Sequence, residues 1–484
     1  MRPPGRRPYG PIMTTTLETP TGTGTGIFAR HHRALMVGVL ALVVLVAFES
    51  LAVATAMPMV GRDLDGLGLY ALAFSGSMAA GMIATVLGGR WGDLRGPVAP
   101  LWAGLAAFVA GLVISGTAPG MDVFLAGRFV QGFGGGVFQV ALYVLVSRVY
   151  PAALHPKVFG ALAAAWVVPS MVGPVIAGSV AVHLGWRWVF LGVPLLVAPA
   201  ALLLWRGLAS APMENPAEPA TRTPIARRFG WAVLTAAGAA LTQYGAQSGG
   251  THSAEAAGTA GAASGAMGPG TGIAVLAAGL VLLAVSLPRL LPPGTLRGGR
   301  GLPSVIALRG IVAGTFLGGE VYLPLMLHAE RGLSLTQAGA VLTGGALAWS
   351  LGSWIVGRKT YDRTLILSVG PLVMAAGLLL MALSVLDSAP VALAFAGEAL
   401  SGFGIGIVYP TLSVLVLELS APGEEGENSA SMGVGESVFT VMTVAAVGAI
   451  VAGLGATGPV YLAGFALIAL VALTGTLVAR RAVP

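Results

Sequence analysis

From Ala34 to about Val478 the chain runs as a succession of apolar segments, most of them about twenty residues or longer, parted by short polar turns. No other feature limits the fold so sharply. A helix of roughly 20 apolar residues matches the ~30 Å hydrocarbon core of a bilayer, so the pattern predicts an all-α polytopic membrane protein. Composition agrees, since 56% of the 484 residues are apolar and 9% charged, against roughly 45–50% and ~25% in soluble domains. That excludes an ordinary soluble globular protein. The 72 glycines fit a membrane setting, where small residues let helices approach closely. The chain has no Cys, which excludes disulfides, thiolate chemistry and Cys-based metal sites. Its net charge of +7 forms no basic arm of the kind that binds nucleic acid.

Charges and Gly/Pro turns divide the first part into six apolar segments, near 34–60, 69–90, 98–118, 121–147, 158–183 and 187–205. A polar stretch from Met213 to Arg228 precedes two weaker segments, 229–249 and 273–292, separated by the Gly/Ala/Ser-rich run from Gly250 to Gly272. Six more follow, near 304–328, 334–357, 364–386, 389–417, 431–453 and 458–479. The expected organisation is a disordered cytoplasmic tail over 1–33, a six-helix bundle over 34–206, a linker region with two extra spans over 207–303, a second six-helix bundle over 304–479, and a short tail over 480–484. That makes fourteen transmembrane helices, or twelve if the weaker pair does not span. Met13 is an alternative start to Met1. The apolar run after Arg33 is too long for a signal-peptide core, so it is expected to stay attached as the first span.

Cytoplasmic loops carry an excess of Lys and Arg. Counted by connection, 22 of the 26 basic residues fall on one side, and only Arg62, Arg187 and Arg331 on the other. Both termini are therefore expected in the cytoplasm. The sequence also repeats itself: Ala126 to Val137 recurs as Ala396 to Ile407, 270 residues later, with six of twelve positions identical and in the fourth segment of each block. Duplicated halves are how many secondary transporters build alternating access.

Arg128, followed by Gln131, Gly132, Gly134 and Gly136, puts a guanidinium in hydrocarbon beside a glycine face that admits another helix. Its candidate partner is Glu49. At 1.5 Å per residue Glu49 sits roughly 22 Å above the cytoplasmic end of its segment and Arg128 roughly 10 Å below the outer end of its own, so in a core of ~30 Å their depths nearly coincide. Such a pair is either a static link or part of transport, and charges inside a membrane favour function. In the second half Glu398 takes the place of Arg128 in the repeat, and Glu320 lies at a depth like that of Glu49. Neither has an evident basic partner. Each is a candidate to exchange a proton or attract a cation, with a permanently neutral, hydrogen-bonded acid as the alternative. Glu436, near the cytoplasmic end of its segment, reads as interfacial.

The fifth segment holds Pro169, Gly173-Pro174 and Gly178, which predict a kinked, closely packed helix. The loop after the second segment, Gly89 to Gly96, carries Asp93 between Arg90 and Arg95, and either latches two helix ends or is a solvated turn. Trp186, Arg187 and Trp188 read as an interface anchor.

Taken together these motifs resemble the major facilitator superfamily, and within it the drug:proton antiporter group with fourteen spans. Glu49 with Pro58 resembles that group's first-span motif, with Glu where Asp is usual. Arg128 to Gly136 resembles the fourth-span motif whose Arg is associated with proton transfer. Gly173, Pro174 and Gly178 resemble the antiporter motif, with Ala177 in place of a Gly. Gly89, Asp93, Arg95 and Gly96 resemble the gating loop, although Leu94, Pro97 and Val98 stand where basic residues are typical, so a weaker latch is expected. The resemblance implies a proton-coupled exporter of small amphipathic compounds in the cell membrane. Its rivals are a dedicated transporter of one metabolite and a non-transporting membrane sensor or scaffold. No catalytic, metal-ligand or nucleotide-binding set stands in the sequence, and His31 and His32 read as part of the tail. No enzyme activity and no cofactor are expected. The expected partners are a small-molecule substrate, protons and the lipid bilayer, without nucleic acid, and the expected state is a monomer.

Overall fold

The computed structural model describes residues 26–65, 70–210, 225–248, 269–358 and 361–483, and the regular elements among them are all helical. Helices are what the apolar runs require, because in lipid each backbone N–H and C=O must be satisfied within the segment. The first group comprises α1 (Arg30–Asp63), α2 (Tyr70–Arg95), α3 (Val98–Gly116), α4 (Met121–Val149), α5 (His155–Ala164), α6 (Val167–His183) and α7 (Arg187–Ser210). Two linker helices follow, α8 (Ile225–Ser248) and α9 (Pro269–Leu290). The second group comprises α10 (Leu302–Ala329), α11 (Leu335–Arg358), α12 (Arg363–Leu383), α13 (Ala392–Glu418), α14 (Glu425–Leu454) and α15 (Gly458–Ala479). Residues 1–25 of the expected tail and most of the Gly250 to Gly272 run lie outside the described residues.

Among the described residues twelve helical stretches are long and apolar enough to cross a membrane. Of the pair expected to be weak, Gly270–Leu290 is among them and α8 is not. The other helix outside the set is α2, whose 26 residues are rich in Gly, Ala and Ser. The first helix begins at Arg30 rather than after Arg33, so His32 belongs to its first turn. It is buried there against the Tyr150 ring, with centroids 4.6 Å apart.

The two groups share one packing plan. In the first, α1 rests on α6 and α7 while α2 and α3 flank α4; in the second, α10 rests on α14 and α15 while α11 and α12 flank α13. Contact between the groups runs through α2 with α14 and α5 with α11. Tyr143 and Ser413, 270 residues apart like the sequence repeat, meet across this interface at 3.2 Å. They lie toward the end of the bundle at which most Arg and Lys of the connections gather, called here the basic end.

Glycines set how close the helices come. A Cβ at Gly132 or Gly136 would run into the carbonyl oxygens of Ser77 or Gly81 on α2, and one at Gly134 into the backbone of Phe108 on α3. The fifth segment differs from its expected form. Its helix is interrupted at Ala165–Trp166, one turn before Pro169, and runs unbroken through Gly173 and Pro174. Pro169 lacks the N–H that would bond back to Ala165, which accounts for the break. The side chain of Pro174 lies outside the described set. A Cβ at Gly173 would sit 3.6 Å from Phe48 and one at Gly178 3.7 Å from Thr55, which is ordinary contact rather than the tight approach expected. Gly132→Val should therefore cost about 2–3 kcal/mol through overpacking, read as a lowered unfolding temperature in detergent, while Gly173→Ala leaves that temperature close to wild type.

Candidate functional site

Three clusters of charge are buried between these helices. In the first group Arg128 donates from Nη1 to Glu49 Oε1 at 2.9 Å, to the Gln131 side chain, and from Nε to the Ala73 carbonyl at 3.4 Å. All three side chains are at least nine-tenths buried. The helix-packing glycines explain the placement, because Gly132 and Gly136 bring α2 close enough for the Ala73 carbonyl to reach the guanidinium. Glu49 arrives from α1 at the depth that the helical rise predicts.

In the second group Glu398 is 1% exposed, and neither carboxyl oxygen has a hydrogen-bond partner among the described residues. It rests against Gly345 of α11, where any Cβ would strike the carboxyl. Partly buried Glu320 is close enough to act on it electrostatically. Neither acid forms an ion pair among the described residues. The repeat thus places a neutralised Glu–Arg pair in one half and two acids in the other.

The second cation inside the bundle escaped the count of basic residues by connection. Arg309 lies seven residues into α10, 3% exposed, and not in the loop before it. Its Nε donates to Glu436 Oε2 at 3.0 Å, and its Nη1 to the Tyr409 carbonyl at 3.1 Å and Ser413 Oγ at 3.0 Å. The guanidinium lies 3.1 Å from the centroid of the Tyr409 ring, and Nη2 reaches the Tyr143 hydroxyl of the first group at 3.5 Å. Glu436 is accordingly an ion-pair partner rather than a merely interfacial acid. Trp186 is likewise a core residue, 2% exposed with its Nε1 donating to Asp63 at 2.9 Å, and only Trp188 of that trio is exposed apolar surface.

At the basic end the last turns of α2, and not a loop after it, meet the first turn of α14. Asp93, fully buried, accepts the backbone N–H of Gly426 at 2.7 Å and of Glu427 at 2.8 Å. Gly89 and Gly426 lie backbone to backbone, with no room for a Cβ on either. Free N–H groups at a helix start are the natural partners of a carboxylate. Arg90 faces Glu427 at 3.8 Å and Arg148 faces Glu425 at 3.5 Å. Arg95 is exposed instead of joining this contact, and Gly96 supplies the left-handed turn at φ +79°. Asp93 lies beyond the apolar segment 69–90. Burial pushes its carboxyl up to about 7, with Glu425 adding to the rise and the Gly426 N–H, Arg148 and Arg90 opposing it. The signal for this contact was the run Glu424, Glu425 and Glu427 in a connection that carries no Lys or Arg.

The comparisons with known proteins bear on what this arrangement serves. The family model described as Major Facilitator Superfamily matches residues 39–443. The chain belongs to the major facilitator superfamily. Among superfamily relatives, a probable multidrug-efflux transporter of Mycobacterium tuberculosis is 27% identical over 402 residues, covering 78% of this chain and 79% of its own. The multidrug transporter protein MdtP of Bacillus subtilis is 24% identical over 419 residues, covering 86% and 74%. An uncharacterized MFS-type transporter of M. tuberculosis, 27% identical over 419 residues, is longer, and the chain spans 58% of its length. Among solved structures, the human organic anion transporter MFSD10 superposes with a TM-score of 0.67 at 15% identity, over 92% of this chain and 99% of that one. The proton:xylose symporter XylE superposes at 0.60 and 15% identity, over 91% and 94%. These likenesses establish the fold. The chain is a multi-pass helical membrane protein of this superfamily.

Proposed function

We propose that this transporter is a proton-coupled antiporter that exports small amphipathic compounds, cationic or neutral, by rocking of the 34–206 and 304–479 bundles around a central cavity. The linker region 207–303 adds two crossings, giving fourteen, and the basic end faces the cytoplasm of the cell membrane. The observation that carries the reading is Glu398, a buried acid without a hydrogen-bond partner among the described residues, beside Glu320 and at the repeat position where the first half has a neutralised Arg128. An acid so placed can load and release a proton, while the Glu49–Arg128 pair keeps the other half neutral. Export of amphipathic compounds is supported by the relatives named for multidrug efflux. With α2 and α14 joined and Tyr143 against Ser413, the structure corresponds to the state closed at the basic end. The test is purified protein in liposomes with an imposed pH gradient and a panel of lipophilic cations, neutral antibiotics and sugars. Gradient-driven movement of the amphipathic compounds supports antiport, and movement of one metabolite alone would replace it with a dedicated carrier.

The closed end should also respond to pH. Asp93 is faced by Arg90, Arg148, Arg228, Glu425 and Glu427. With its carboxyl near 7 when buried and at the ordinary value of 3.8 once hydrated, the closed form holds a proton more tightly than the open one. Acidification below about 7 therefore favours closure, by up to about tenfold per pH unit until the exposed group also protonates near 4. The readout is the separation of spin labels on cysteines at Ala153 and Tyr361, which are exposed on opposite bundles at this end. Asp93→Asn should flatten the dependence.

A further inference from the structure

The acids at the α2–α14 crossing outnumber the cations that the two bundles bring. Among the described residues Asp93, Glu425 and Glu427 converge there, and only Arg90 and Arg148 face them from the first bundle. The missing charge comes from outside both bundles. Arg228, in the first turn of linker helix α8, forms an ion pair with Glu427, and its Nη2 donates to the Leu290 carbonyl at the end of α9 at 3.4 Å. One turn along α14, Ser431 Oγ donates to the same Leu290 carbonyl at 3.1 Å. Helix α8 also rests along α2. The linker pair therefore grips the start of α14 at two successive turns while leaning on the helix that carries Asp93.

We propose that Arg228 is a positioning residue of the gate: it neutralises Glu427 so that the start of α14 can receive the Asp93 carboxylate, which makes the linker pair a third partner in closing the basic end. Without Arg228 the Glu427 carboxylate lies beside buried Asp93 with Arg90, at 3.8 Å, as its remaining ion-pair partner among the described residues. Like charges at such a distance in a partly buried site repel, and repulsion here acts directly against closure. Arg228 thus offsets the cations absent at Leu94, Pro97 and Val98. The inference rests on the alternating-access reading above.

The test uses the full chain in lipid nanodiscs with spin labels at Ala153 and Tyr361, the only cysteines present once introduced. Arg228→Ala should raise the open-to-closed ratio about tenfold, within the usual range of coupling between one contact and a two-state equilibrium, whereas Arg228→Lys stays mostly closed. Exposed Arg297→Ala serves as a control and should match wild type. Glu427→Gln should remain closed, because its backbone N–H still reaches Asp93, and adding Arg228→Ala to Glu427→Gln should change nothing further. Wild-type distances in Arg228→Ala, with Asp93→Ala open because the Gly426 and Glu427 N–H groups lose their acceptor, overturn the assignment of Arg228. An open double variant overturns neutralisation in favour of packing on the Leu290 carbonyl. If Asp93→Ala and Arg228→Ala both stay closed, the gating reading of this end falls and the proposal with it.

Discussion

Replacing Arg128 by Met should destabilise the folded protein by about 3–5 kcal/mol, because it strands the Glu49 carboxylate in a buried site. Glu49 is 5% exposed and Arg128 is its only ion-pair partner among the described residues. Glu49→Gln should do comparable harm by leaving the guanidinium with only neutral acceptors, Gln131 and the Ala73 carbonyl. The double variant Glu49→Gln, Arg128→Met should regain most of the stability, since apolar or neutral groups of similar size are tolerated where a lone charge is not. Unfolding in detergent, followed by loss of monodisperse protein on heating, measures all three. Transport then separates a structural link from a functional one. A double variant that is stable and still exports reduces the pair to structure; one that is stable and inactive gives the charges a part in the cycle.

The pairing of Glu49 with Arg128 was legible because two quantities sufficed, the helical rise and the thickness of the bilayer, and both elements are long uninterrupted helices. The repeat around Arg128 and Glu398 was legible for the same reason, since it lies in mid-segment where register does not slip. Arg309 was not. Seven residues from the start of its helix and just after a Gly/Pro/Arg-rich connection, it reads as part of a basic loop, and only the packing of α13 and α14 against α10 shows that Tyr409, Ser413 and Glu436 surround it. The gate was half legible. Asp93 declared itself by its turn, but its partner is a set of backbone N–H groups more than 330 residues away, and no side-chain pattern announces those. The fifth segment was expected to bend at its Pro and Gly residues, and the break falls one turn before Pro169, because a helix breaks where the lost N–H coincides with a freed carbonyl and a Gly-Pro step can be carried straight through.

Substituting Gln for Glu320 or Glu398 should have the opposite profile to the first-half variants: an intact fold and a transporter that no longer exchanges protons. Neither acid pairs with a cation among the described residues, so Gln strands no charge, and it keeps the shape that Gly345 accommodates around Glu398. What Gln cannot do is titrate. Because the two carboxyls act on each other, their proton losses belong to the pair, and the double variant should be little worse than the worse single one. Substrate-induced proton release in detergent, measured on wild type, Glu320→Gln, Glu398→Gln and Glu49→Gln, reads this directly. Loss of release in the second-half variants with unchanged unfolding temperature supports the assignment. If one of them instead loses only cationic substrates and still exports neutral ones with proton release, that acid attracts cations and its neighbour carries the proton. Full release from both, with loss confined to Glu49→Gln, moves the proton site to the Glu49–Arg128 pair, and the asymmetry between the halves would then serve substrate binding rather than coupling.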